Sequence, residues 1–302
     1  MKPFASIALA GLGLAGMALA QPAKAQGSPD QCPPFEMVGE GPDLILTPGL
    51  GSSPEVWGGV VESLSADYRV TLVHVAGFAG REPVGESDEV VETAAREVIA
   101  HLDCQGIESA LYAGHSLGGF LGLKLAIENP GRIEGLVVVD ALPFYPLIFN
   151  PAATAENVRP QAEAFRSQIT GQDDATFEAG QRMGVRSLVK NAAYHDRVVG
   201  WSLASDRASF AGAFHALMTT DLRDRLDSIT TPTTIIVAAN AFAPRSRVEP
   251  LYEAAYERLK NVDIDVIEDS YHFIMFDQPE AFETALRKAL SKETTHSDTS
   301  SD

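Results

Sequence analysis

The serine of Gly114-His115-Ser116-Leu117-Gly118-Gly119 stands in a setting that makes a nucleophile. A strand-like run, Ser109 to Ala113, precedes it, and an amphipathic helical run, Phe120 to Glu128, follows. A serine between strand and helix, with glycine two residues away on each side, sits on a turn too tight for neighbouring side chains. That geometry predicts a positive φ at Ser116, a hydroxyl directed off the sheet, and the positive end of the following helix beneath it. It suits attack by the Ser116 oxygen on a carbonyl carbon.

Such an oxygen attacks only when a base takes its proton. Of the seven histidines, His115 lies inside the turn with its ring expected to face away from the hydroxyl, and His74 ends a strand. His101 is on a helix, His195 and His215 are in helical segments, and His296 is in the polar tail. His272, in Ser270-Tyr271-His272-Phe273, lies between the last strand and the last helix, on the same rim as Ser116. It is the expected base. The base in turn needs an orienting carboxylate, and Asn240-Ala241-Phe242-Ala243-Pro244, where an acid would typically follow a strand, offers none. Asp140, at the carboxyl end of the strand after the serine's helix, is the expected acid, with Asn240 as a neutral orienter and Glu249 as alternatives. Asp269 is close in sequence but is expected to point elsewhere. The donors expected for an oxyanion are the backbone N–H of Leu117, directly after the serine, and of Leu50 in Pro48-Gly49-Leu50-Gly51.

These residues need a frame that brings distant segments to one edge. Continuously apolar strands read at Asp43–Leu46, Arg69–Val75, Ser109–Ala113, Gly135–Val139, Thr233–Ala238 and Val262–Ile267, alternating with helical runs. The helical runs are Ser53–Leu64, Glu89–Leu102, a segment through Tyr252 and Leu259, and Asp277–Leu290. That alternation predicts a parallel sheet covered on both faces. From Phe144 to about Arg225 it stops, and four helical segments, Val158–Ile169, Ala175–Val189, Asp196–Ser202 and Arg207–Met218, take its place. A sheet interrupted in this way predicts a core carrying a helical cap over the strands' carboxyl ends, where ligands bind. Phe149, Phe165, Met183, Trp201, Phe210, Phe214 and Met218 supply apolar cap residues, about a third of them expected to line a pocket.

Taken together, Pro48-Gly49-Leu50-Gly51 with Trp57, the Gly114–Gly119 motif, and Tyr271-His272-Phe273 followed by Gln278-Pro279-Glu280 resemble the α/β-hydrolase superfamily. The resemblance covers essentially everything from Phe35 to Leu290. It implies an eight-stranded, mostly parallel sheet with helices on both faces and a helical cap inserted after the sixth strand. It also implies acyl-enzyme chemistry with no cofactor. Two departures stand out: Thr47-Pro48 replaces the histidine that often precedes the oxyanion glycine, and the usual acid after strand seven is missing. Some similar members take their acid from strand six, as Asp140 allows. A serine nucleophile argues against dehalogenase and epoxide hydrolase activity, which use a carboxylate there. The leading expectation is a carboxylic ester hydrolase, with lactone, amide or C–C bond hydrolysis on the same triad as alternatives. A non-catalytic ligand-binding protein on the same scaffold is the reading from another class.

The formal net charge of −18 argues against binding nucleic acid or anionic membrane and says little about a small neutral substrate. The apolar cap residues are what suit a small-molecule ester, apolar or aromatic. Residues 1–25 read as a signal peptide: Lys2, an apolar run from Ile7 to Ala20, then Ala23-Lys24-Ala25 as the cleavage site. The mature chain is then expected to begin near Gln26, periplasmic or secreted, with no membrane anchor. Residues 26–143 and 226–291 form the expected core, 144–225 the cap, and 292–302 a disordered tail. The two cysteines, Cys32 and Cys104, have no metal spacing; an exported pair of this kind is either bridged, pinning the leader, or left as two buried thiols.

Overall fold

Neighbouring residues along each central strand face opposite sides of the sheet, and both sides are apolar. Leu136 and Val138 pack into one buried cluster while Val137 and Val139 pack into the other. Ile235 and Ile236 divide in the same way. Burying a side chain of this size contributes roughly 1.5–3 kcal/mol, so a strand apolar on both faces is stable only between two helical layers.

The protein, a computed structural model, is described over residues 32–297. The expected signal peptide, 1–25, and its cleavage site lie outside those residues. Strands β1 (Glu36–Val38), β2 (Asp43–Thr47) and β3 (Arg69–Leu72) are followed by β4 (Ala110–His115) and β5 (Ile133–Val139). The last two are β6 (Thr233–Ala238) and β7 (Val262–Ile267). They form one sheet in the order β1-β3-β2-β4-β5-β6-β7, with β1 antiparallel to β3 and every other pairing parallel. Helices α1 (Gly58–Leu64), α2 (Val90–Gln105) and α3 (Leu117–Glu128) connect the first half. Between β5 and β6 lie α4 (Ala155–Gly171), α5 (Asp174–Leu188), α6 (His195–Leu203) and α7 (Arg207–Thr219). Helices α8 (Arg245–Ala255), α9 (Ile274–Asp277) and α10 (Pro279–Ser297) complete the chain.

Among the described residues there are seven strands, where the resemblance implied eight. The described antiparallel edge holds a single strand, and positive-φ Gly39 and Gly41 then turn the chain directly into β2. The helical insertion therefore follows the fifth observed strand rather than the sixth. The strand expected over Arg69–Val75 stops at Leu72: Val73, Val75 and Phe78 are apolar because their loop is buried. Ser53–Leu64 divides into a 3-10 turn, Pro54–Trp57, and α1. Of the expected tail, 292–302, residues 298–302 lie outside the described residues and 292–297 are helical. Helix α10 continues to Ser297, helped by Lys288 and Lys292, which pair with Asp265 and Asp263 of β7. Cys32 and Cys104 form a disulfide that fastens the leader to the end of α2.

Candidate active site

Parallel strands put all their carboxyl ends on one rim, and the chain there is bent sharply three times. Ser116, after β4, has φ +54°; Asp140, after β5, has φ +47°; Asp269, after β7, has φ +59°. Left-handed conformations cost non-glycine residues about 1–3 kcal/mol and persist where the surroundings enforce them. Around Ser116 the enforcement is visible. A Cβ at Gly114 would meet the Gly118 carbonyl oxygen at 2.1 Å, and one at Gly118 would meet the Thr47 oxygen at 2.3 Å. The buried Tyr112 hydroxyl donates to the Gly118 carbonyl at 2.9 Å, tying helix α3 back to its strand. Among the described residues no hydrogen bond fixes the Ser116 hydroxyl, which faces the same cavity as His272.

His272 Nδ1 lies 2.6 Å from Asp140 Oδ2. The other oxygen of Asp140 accepts from the backbone N–H of Ala238 at 3.0 Å and from the Tyr252 hydroxyl at 3.4 Å. The end of β6, which carries no acid of its own, thus helps to hold an acid from its neighbour. Burial and the nearby Asp140 charge push the Tyr252 hydroxyl well above its ordinary pKa, so it remains a donor. The contacts of Tyr252 and Ala238 with Asp140 are not legible in the sequence, because nothing local marks a tyrosine on α8 as the neighbour of residue 140. Asp277 was read as the start of the last helix. Its carboxylate instead accepts from the N–H groups of Tyr271, Lys190 and Asn191, joining the His272 loop to the stretch after α5.

The alternatives have other partners. Asn240 donates to the Ser270 carbonyl and accepts from Phe242 and Ala243 within its own loop. Glu249 pairs with Arg245, and Asp269 with Lys190. Of the remaining histidines, His74 bonds the Phe78 carbonyl, His101 faces Thr71, and His195 bonds the Val189 carbonyl. Gly49 and Leu50 line the cavity beside Ser116. Leu117 opens α3, so its N–H has no acceptor within the helix. Neither Leu50 nor Leu117 donates in the described turns and caps.

The cavity measures about 440 Å³ and extends beneath the helical insertion. Phe165, Phe210 and Phe214 line it, together with Phe120, Leu142 and Leu217. Of the other insertion residues singled out above, Trp201 and Met218 are buried in the cores while Phe149 and Met183 are exposed. An apolar lining, a strained serine and a histidine–carboxylate pair thus share one cavity, the set of groups that attack on an uncharged carbonyl requires. No group of three potential metal ligands occurs among the described residues, and none of their helices is long and apolar enough to cross a membrane.

A model of the alpha/beta hydrolase family matches residues 44–285. Pimeloyl-(acyl-carrier protein) methyl ester esterase of Aeromonas hydrophila is 28% identical over 252 residues, covering 82% of this chain and 94% of that protein. Among solved structures, a hydrolase from Pseudomonas aeruginosa superposes with a TM-score of 0.68 at 24% identity, over 85% of this chain and 93% of that one. The enol-lactonase of Burkholderia xenovorans gives 0.67 at 20% identity, over 85% and 95%. At those identities the structural likeness is one of fold.

Proposed function

The chain belongs to the alpha/beta hydrolase family, and from that premise we propose that it is an exported serine hydrolase cleaving carboxylic esters through an acyl-enzyme. The observation that carries the reading is the 2.6 Å contact of His272 Nδ1 with Asp140, on the rim where Ser116 is held in its strained turn. With Asp140 accepting a hydrogen bond from Nδ1–H, Nε2 is the free base. It removes the Ser116 proton as the oxygen attacks the ester carbonyl. The oxyanion accepts from the Leu50 and Leu117 amides, each such donor contributing on the order of 3 kcal/mol to the barrier reduction. His272 then returns its proton to the leaving alcohol. Water, deprotonated by the same imidazole, attacks the acyl carbonyl. His272 then passes that proton to the Ser116 oxygen as its acyl bond breaks, releasing the acid and restoring the serine.

The aromatic cavity supports an apolar or aromatic ester, and the methyl ester esterase named for the Aeromonas protein supports ester over amide. Export is supported by residues 1–25 and by a disulfide suited to an oxidising compartment. A fluorophosphonate probe tests the chemistry: the wild type gains one adduct by intact mass and Ser116→Ala gains none. A folded wild type that takes no label overturns the reading.

A further inference from the structure

His115, fully buried, lies between the proposed nucleophile, the proposed base and the oxyanion loop. It is the chain neighbour of Ser116. Its Nε2–H donates to the main-chain carbonyl of His272 at 3.0 Å. Its ring lies 4.6 Å from the His272 ring and 4.8 Å from that of Phe273, centroid to centroid. On the opposite side it meets the oxyanion loop, where a Cβ on Gly49 would stand 3.0 Å from His115 Nδ1 and 3.1 Å from Ser116 Cβ.

A carbonyl only accepts, so Nε2 carries the proton and Nδ1 is a bare acceptor. That Nδ1 is buried without any hydrogen-bond partner. A leucine would fill similar space without stranding a nitrogen. Packing alone therefore does not account for an imidazole here; the Nε2 donor does.

We propose that His115 is a positioning residue, which sets the reach between nucleophile and base by hydrogen-bonding the carbonyl of the base itself. The proposal rests on the serine-hydrolase reading above. Other contacts hold the loop at Ser270, Tyr271 and Phe273, through the Ala239 carbonyl, Asp277 and the Leu188 carbonyl. His115 fixes the residue whose side chain must be aimed. Burial, then the neighbouring His272, keeps the His115 imidazole well below its ordinary pKa. Its donor pattern thus persists while His272 carries the proton in transit.

His115→Leu removes the donor at nearly constant volume, and His115→Gln restores an N–H. All are assayed on a 4-nitrophenyl ester, with the fluorophosphonate labelling rate measured in parallel. The Leu variant is expected to lose roughly 10–100-fold in kcat and a similar factor in labelling rate, with KM within about twofold, because a misplacement near 1 Å can cost ~100-fold. The Gln variant recovers most of that loss. A purely structural role predicts no such rescue. A folded Leu variant within about threefold of wild-type kcat, or a folded Gln variant as slow as Leu, overturns the proposal. If Leu does not fold, His115→Met carries the same expectation. An inert wild type overturns the hydrolase reading as well, whereas an active wild type matched by its Leu variant overturns only the role of His115.

Discussion

Asp140 meets the His272 imidazole across 132 positions of chain. It reaches His272 from β5, and the donors around it come from β6 and α8. Asp140→Asn should lower kcat by about 10²–10⁴-fold, because the amide favours the wrong imidazole tautomer, while the melting temperature stays close to wild type. Ester turnover and calorimetry on the same sample check both halves. Tyr252→Phe loses one long hydrogen bond and should cost only ~0.5–1.5 kcal/mol of stability. Acidity tests a different pair of residues. Burial is the chief cause that lowers the imidazoles of His115 and His101, and Asp43 partly opposes it at His101. Unfolded, each titrates near ~6.5. Below that the unfolded chain binds more protons than the folded one, so stability is complete above pH ~6.5 and falls with acidification. Melting midpoints should be level at neutral pH and drop on the acid side, with a shallower drop in His101→Phe; an unchanged slope refutes the assignment. Ser116, Asp140 and His272 stood out in the sequence because each follows a strand at its carboxyl end. Tyr252 did not, since its contact joins residues 112 positions apart and only the fold creates it.

At the scale of elements, the turn between β4 and α3 is the least tolerant of change. Gly118→Ala would set a methyl group 2.3 Å from the Thr47 carbonyl oxygen, a backbone atom that cannot swing aside. A loss of at least about 2 kcal/mol is expected, read as a lower urea midpoint with an unchanged slope. The alternation of strands and helices was legible because strands buried on both faces are apolar throughout. Edges were harder. Residues 73–78 are as apolar as a strand yet form a buried loop, and burial alone does not distinguish the two. The end of α10 was misread for the opposite reason: its polar residues suggest a free tail, but cross-element pairs with β7 hold the helix through Lys292.

For the molecule as a whole, the disulfide closes a loop with a sequence separation of 72 and ties the leader to the body. Cys104→Ser should cost roughly 2–4 kcal/mol with little effect on kcat, because neither sulfur belongs to the cavity; chemical denaturation with and without reductant measures it. Pairing could be anticipated from two cysteines and a leader, whereas the strand count among the described residues could not, since a family resemblance does not fix how many strands stand at the edge of the sheet. The helical insertion has a last consequence. Ser116 and Asp140 both precede it in the chain, while His272 and Tyr252 follow it. A backbone break in the Gln172–Asp173 connection would therefore divide the chemistry between two fragments, each inert by itself. Restored turnover on mixing would then report their reunion, making the enzyme a natural candidate for a complementation sensor.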